Sequence, residues 1–154
     1  MLDELFMIEA LKEAEISLIQ GNYPIGSVIV LDNHIISRGQ NLVKSSNDKL
    51  AHAEFNGIQH CKDLLLKKEN RGRATLYTTY SPCPMCFGVI VLYHIGKIVW
   101  GTDLDNSGAV YFNNCLPEFY KNTRKKIEIV GHVLEDKCNE LILKSGIERL
   151  KNRV

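Results

Sequence analysis

The chain has 154 residues, 45% of them hydrophobic, and this size predicts a single domain over residues 1–154 with its own core. Its 19 Lys and Arg residues against 18 Asp and Glu give a net charge of +1, which removes the basic field of typical nucleic-acid proteins and weakens, without excluding, such a partner. The five cysteines form no regular framework and no apolar run approaches the roughly 18 residues that cross a bilayer, so we expect a cytoplasmic protein without membrane contact.

The first half of the chain predicts a helix, a hairpin and a second helix. Apolar residues recur at helical spacing over 7–18, and Gly21 ends that segment. A short apolar run rich in β-branched residues at 26–31, followed by Asp32-Asn33 and then by residues 34–38, predicts the hairpin. Helical spacing returns from Leu50 to about Leu66, where a charged stretch ends it.

The second half alternates between the two kinds of element. The predicted elements are a strand at 74–80, a helix at 85–95, a strand at 97–100, an irregular segment with a short helix at 103–122, a strand at 127–132 and a helix at 136–150. Gly96 is the predicted C-terminal cap of the third helix. Strands separated by helices of this length indicate a largely parallel sheet that is covered on both faces.

Two cysteines mark the junction between the third strand and the third helix. Cys83 and Cys86 are three residues apart on the predicted first turn, so their sulfur atoms can project from one face. The positive end of a helix dipole favours thiolates, which are the form that binds metal. His52, at the start of the second helix, adds an imidazole. The three side chains are a candidate Cys₂His set for zinc.

Three protein ligands leave one coordination position open, which separates a catalytic zinc from a structural one. Cys61 lies nine residues after His52, about 13 Å along the predicted helix, which is too far to bind the same ion. Cys115 and Cys138 stay open as a fourth ligand, although free cysteines are more often packing residues. Zinc lowers the pKa of a bound water to about 7. Glu54, two residues after His52, is then the natural proton shuttle.

The pattern His-x-Glu followed by Pro-Cys-x-x-Cys is typical of zinc deaminases, in which hydroxide attacks an amino-bearing ring carbon. The chain resembles the cytidine deaminase-like superfamily, in the branch that holds cytosine deaminase, guanine deaminase and the tRNA adenosine deaminases. Besides the two motifs, the resembling stretches are Pro24-Ile25-Gly26, Gly39-Gln40-Asn41, Ser46-Asn47-Asp48 and the flanks from Leu76 to Gly88.

This resemblance implies a fold, a cofactor and an assembly. The fold is an α/β three-layer α/β/α sandwich with a central five-stranded mixed sheet. The cofactor is one Zn²⁺ per chain, bound by His52, Cys83 and Cys86, with Glu54 as the catalytic proton carrier. The assembly is a homodimer.

The resemblance also implies a substrate pocket. The side chain of Asn41 matches the position that hydrogen-bonds the substrate ring in this branch, and the backbone N–H of Cys83 is expected to assist. Ile25 and Ser81 match positions that line the pocket. These residues complete the predicted site.

The substrate is the harder question, because the same zinc chemistry serves small and large substrates. The stretches around Asn41 and Asp48 look like guanine deaminase, and Ser81-Pro82-Cys83 is closer to the fungal-type cytosine deaminases. The tRNA enzymes usually have Glu-Pro-Cys there, whereas residues 129–141 resemble theirs well. We therefore expect hydrolytic deamination of a free nucleobase or nucleoside.

Two alternatives to this expectation stay open. The first is deamination of the wobble adenosine of a tRNA, to which a local basic cluster would contribute phosphate contacts. That cluster consists of Lys121, Arg124, Lys125 and Lys126. The second, more remote alternative is a non-enzymatic module with a structural zinc, which four protein ligands would normally close.

Overall fold

The structure analysed is a computed structural model, and it describes residues 1–103, 115–118, 120 and 127–146. The predicted basic cluster at 121–126 lies outside these residues, as do most of the segment 103–122 and the end of the last predicted helix. Within the described ranges, no helix combines the length and the apolar character that crossing a membrane requires.

Helices and strands alternate in the order that the sequence predicts. The helices are α1 Leu2–Ile19, α2 Val43–Ser46, α3 Ala53–Leu65, α4 Pro84–Leu92 and α5 Glu135–Lys144, with one 3₁₀ turn at Lys68–Asn70. The strands are β1 Gly26–Leu31, β2 His34–Gln40, β3 Thr75–Tyr80, β4 Lys97–Thr102 and β5 Glu128–Val130.

The five strands form one mixed sheet in the order β2-β1-β3-β4-β5. Strand β1 is antiparallel to both of its neighbours, whereas β3, β4 and β5 run parallel. The mixed sheet is confirmed, but the largely parallel sheet indicated by element order is right only for β3 to β5. The hairpin reverses the chain direction between β1 and β2. Strand β1 rather than β2 then pairs with β3, so the pairs β1–β2 and β1–β3 are both antiparallel.

Helices cover both faces of the sheet and bury two separate cores, which confirms the three-layer sandwich. All six residues of β1 are buried, and they alternate between the cores. The core under α1 and α5 includes Met7, Leu11, Ala14, Val28, Tyr77, Val99 and Leu141. The core under α3 and α4 includes Ile29, Ile58, Leu65, Leu76, Phe87, Ile90 and Ile98.

Two boundaries near the motifs differ from the prediction. The second long helix begins at Ala53 rather than Leu50, because His52 has an extended backbone with φ −73° and ψ 152°. The short helix α2 was not predicted. The predicted glycine cap of α4 is also wrong, since Tyr93 is its C-cap and His94 takes the left-handed conformation with φ +55°.

The last strand is shorter than predicted, and the start of the last helix differs by one residue. Strand β5 ends before His132, whose φ of +64° is incompatible with a continuing strand. The last helix begins at Glu135, one residue earlier than expected, and the described part ends at Lys144. Gly146, with φ +67°, is the last residue of the described range 127–146.

Candidate zinc and catalytic site

The N-terminal ends of α3 and α4 bring the predicted ligands together. His52 is the N-cap of α3, and Cys83 is the N-cap of α4, where Pro84 occupies the first helical position. Cys86 follows in the first turn of α4 and is fully buried. The ligand atoms of His52, Cys83 and Cys86 all lie within 4.8 Å of one another. The extended backbones of the two N-caps, together with the first turn of α4, therefore bring the three side chains to one point.

The geometry of this cluster fits a tetrahedral zinc ion. Two atoms bound at about 2.0 Å (nitrogen) and 2.3 Å (sulfur), at a tetrahedral angle, lie about 3.5 Å apart. The Nδ1 atom of His52 is 3.6 Å from the Sγ atom of Cys83, so Nδ1 rather than Nε2 faces the cluster. Among the described residues, no fourth His, Cys, Asp or Glu joins the group. The donor set is therefore that of an open site.

The electrostatics of the cluster favour a thiolate even without metal. Hydrogen bonds from Cys86 and then from His52 lower the pKa of the Cys83 thiol to about 4. The pKa of Cys86 is raised, because its thiol donates to Cys83 and because burial disfavours its charge. The hydrogen bond between His52 and Cys83 also raises the pKa of His52. One negative charge is thus already held where a cation would bind.

Glu54 lies beside the cluster and is only 3% exposed. One of its carboxylate oxygens is 3.6 Å from the Sγ atom of Cys86, and the other accepts a hydrogen bond of 3.4 Å from the Thr78 hydroxyl. Burial raises the pKa of Glu54, which favours a carboxyl that can hold a proton. Sequence reasoning missed Thr78, although a hydroxyl in a buried strand was an available signal.

Two of the predicted pocket residues meet at one end of the β1–β2 pair. The backbone N–H of Asn41 donates to the carbonyl of Ile25 at 3.0 Å. The next residue, Leu42, donates its N–H to the carbonyl of Ala51 at 2.9 Å, which ties this turn to the residue before His52. Asn41 is 2% exposed, and its Oδ1 atom accepts a hydrogen bond from the backbone N–H of Val43 in the same turn.

Ser81 is the remaining predicted pocket residue, and three cysteines lie outside the metal-ligand group. Ser81 connects β3 to Cys83 and is 4% exposed, and its hydroxyl has no hydrogen-bond partner among the described residues. Cys61 and Cys138 are buried away from the cluster, and burial raises their pKa values to about 11 and 12. Cys115 is exposed. None of these three thiols belongs to the described metal-ligand group.

A family model for the zinc-binding region of cytidine and deoxycytidylate deaminases matches residues 1–102, a range that contains both motifs. The chain belongs to this deaminase family. It is therefore a zinc-dependent hydrolytic deaminase, and one zinc ion is its cofactor. The remote alternative of a structural zinc in a non-enzymatic module is excluded by this membership.

Relatives of this deaminase carry more specific names. A tRNA-specific adenosine deaminase from Bacillus subtilis is 38% identical over 91% of this chain and 86% of its own length. A solved structure from studies of wobble-position A-to-I editing by tRNA deaminases superposes with a TM-score of 0.70 and 30% identity, covering 88% of this chain and 97% of its own. Guanine deaminase from Bacillus subtilis is 36% identical with a TM-score of 0.58, but over 65% of this chain and 64% of its own.

These relatives correct the expected substrate. The short stretches around Asn41 and Ser81 favoured a free nucleobase or nucleoside. Relatives that match over most of the chain are instead named for tRNA. The expectation of a small substrate is therefore wrong, because it rested on stretches of three residues, which carry less information than similarity over most of the chain.

Proposed function

We propose that this deaminase converts the wobble adenosine of a tRNA to inosine, with water as the second substrate and ammonia as the second product. The observation that carries the proposal is 38% identity, over 91% of the chain, to a tRNA-specific adenosine deaminase. The open three-ligand cluster beside a buried glutamate supports the chemistry. A tRNA substrate also supports the cytoplasmic location that the sequence predicts.

We propose that His52, through Nδ1, and the two thiolates of Cys83 and Cys86 hold the zinc ion. When bound, zinc supplies a Lewis acid that activates water for attack on the amino-bearing ring carbon. The N-terminal end of α4 favours the thiolate forms that bind metal, because its partial positive charge stabilises anions. Metal binding requires Cys86 to lose the proton that it shares with Cys83.

Glu54 is the proton carrier in this proposal. Its carboxylate accepts a proton from the attacking water and then, as a carboxylic acid, donates that proton to the departing amino group. Burial supports this double role, because a raised pKa brings the two protonation states closer in energy at neutral pH. The Thr78 hydroxyl lies 3.4 Å from the carboxylate and also 3.1 Å from the carbonyl of Tyr80, so it is a polar neighbour that Glu54 shares with the backbone.

Asn41, Ile25 and Ser81 are the proposed substrate-binding residues. Asn41 would hydrogen-bond the purine ring, with the backbone N–H of Cys83 assisting. Ile25 is held against Asn41 by a backbone hydrogen bond, so the two residues present one surface. The unpartnered, buried hydroxyl of Ser81 supports a polar contact with the substrate, because such a group otherwise carries a desolvation cost.

The surroundings of the site support a large partner. Residues 44–50 are exposed and lead directly to His52, and they include Lys44 and Lys49, which can approach RNA phosphates. We also propose that the protein forms the homodimer that the resemblance implies. We propose that residues 1–154 form one zinc-dependent deaminase domain.

Ammonia release across a substrate panel tests this function. The panel contains an anticodon stem-loop with a wobble adenosine, the same RNA with a wobble guanosine, free adenosine, guanine and cytosine. We expect release from the adenosine stem-loop at a kcat/KM at least about 100-fold above every other substrate, because RNA contacts remote from the ring contribute binding energy. Comparable or faster release from guanine or cytosine would refute the tRNA proposal.

A further inference from the structure

Helix α3 and strand β2 are joined by two side chains that lie one helical turn apart. Asn56 donates its Nδ2 group to the carbonyl of Gln40 at 2.9 Å. One turn later, the Nδ1 atom of His60 is 3.1 Å from the carbonyl of Arg38. Four helical residues rise about 6.0 Å and two strand residues about 6.7 Å, so both bonds fit an antiparallel helix and strand.

The Asn56 bond connects the two parts of the site through one side chain. Asn56 lies in the first turn of α3, and its backbone N–H also makes the first helical bond, to the carbonyl of His52 at 2.9 Å. Gln40 is the last residue of β2 and immediately precedes Asn41. The same residue therefore contacts the helix start that carries the metal ligand and the strand end that carries the proposed ring contact.

Other hydrogen bonds hold the helix itself against the sheet. Ser27 donates to the carbonyl of Ala53 at 2.8 Å, and Ser37 donates to the carbonyl of Gly57 at 2.6 Å. These contacts do not involve Gln40. Loss of the Asn56 amide would thus leave the start of α3 in place, while Gln40 at the end of the edge strand β2 would lose its hydrogen bond from the helix. The bond from Leu42 to the carbonyl of Ala51 would remain to tie the Asn41 turn to the start of α3.

We infer that Asn56 is a positioning residue that fixes the distance between the metal-binding end of α3 and the Asn41 turn. It does not touch the substrate. Its amide sets where the purine ring is held relative to the cluster of His52, Cys83 and Cys86, and a small displacement there reduces the rate strongly. The inference rests on the proposed role of Asn41.

The test compares Asn56→Ala and Asn56→Asp with His60→Ala. The aspartate keeps the shape of the side chain but has no N–H to donate, and His60→Ala removes the equivalent bond one turn away. We expect all three variants to bind one zinc per chain and to lose about 2–4 °C in Tm. Only the Asn56 variants should lose about tenfold in kcat/KM on the adenosine stem-loop, and only they should take up deuterium faster over residues 40–43.

Two results would overturn this inference. One is the same kcat/KM for Asn56→Ala and His60→Ala, which would make the bond merely structural. The other is unchanged deuterium uptake over residues 40–43 in Asn56→Ala. An Asn41→Ala variant separates this inference from the proposed function. If that variant keeps full activity, the role of Asn41 fails, and deuterium uptake alone decides whether Asn56 fixes the turn.

Discussion

Replacing Glu54 by glutamine is expected to lower kcat by about 10²–10⁴-fold on the adenosine stem-loop, while zinc stays at one ion per chain. Glutamine keeps the size of the buried side chain but cannot accept and return a proton. Glu54 is 3% exposed, and its carboxylate contacts Thr78 and Cys86, so no nearby bulk water replaces it. Steady-state ammonia release and metal analysis of the same preparation provide the two measurements.

The matched control is Glu13→Gln. Glu13 is also a buried glutamate, at 5% exposed, but it lies in α1 and accepts hydrogen bonds from Arg38 and Gln40. We expect this variant to lose stability and to keep the wild-type kcat. A Glu54→Gln enzyme with full zinc and undiminished kcat would remove Glu54 from the mechanism.

Replacing Cys86 by alanine is expected to weaken zinc binding more than about 100-fold and to abolish activity with it. Changes to residues that only support a metal ligand cost about 10–100-fold in affinity, and loss of a ligand costs more. Cys86 is fully buried beside Cys83, so water does not easily fill the vacated position. Zinc per chain after dialysis against a chelator, together with ammonia release, measures the effect.

Cys61→Ala is the control for this variant. Cys61 is another buried thiol, on α3, with its pKa raised to about 11, and it lies outside the metal-ligand group. Its replacement should leave the zinc content and the activity at wild-type values. If Cys86→Ala keeps its zinc through dialysis while Cys61→Ala loses it, the proposed ligand set is wrong.

Short-range rules made the placement of the two cysteines predictable, whereas their meeting with His52, 31 residues away from Cys83, was predicted from the motif pattern. A cysteine just before a proline-initiated helix is placed as an N-cap, which defines where Cys83 and Cys86 point. The predicted start of α3 was three residues too early, because nothing in the local pattern indicated that His52 itself would be the extended N-cap. Local spacing therefore predicts which side chains meet better than it predicts where a helix begins.

The contacts that join distant segments were not predictable in this way. The Thr78 hydroxyl on Glu54 and the Asn56 amide on Gln40 span 24 and 16 residues of sequence. They depend on the sheet order, in which β1 separates β2 from β3. The substrate was likewise mispredicted, because the stretches around Asn41 and Ser81 are only a few residues long. Similarity over most of the chain carried the information that those stretches lacked.

The position of inosine in a full-length tRNA tests the central claim most directly. A tRNA with a wobble adenosine is incubated with the zinc-loaded protein and sequenced as cDNA, in which inosine reads as guanosine. The account predicts conversion at the wobble position alone, and none with Glu54→Gln. The proposed function would be contradicted if the tRNA contained no inosine while the same preparation released ammonia from free nucleobases.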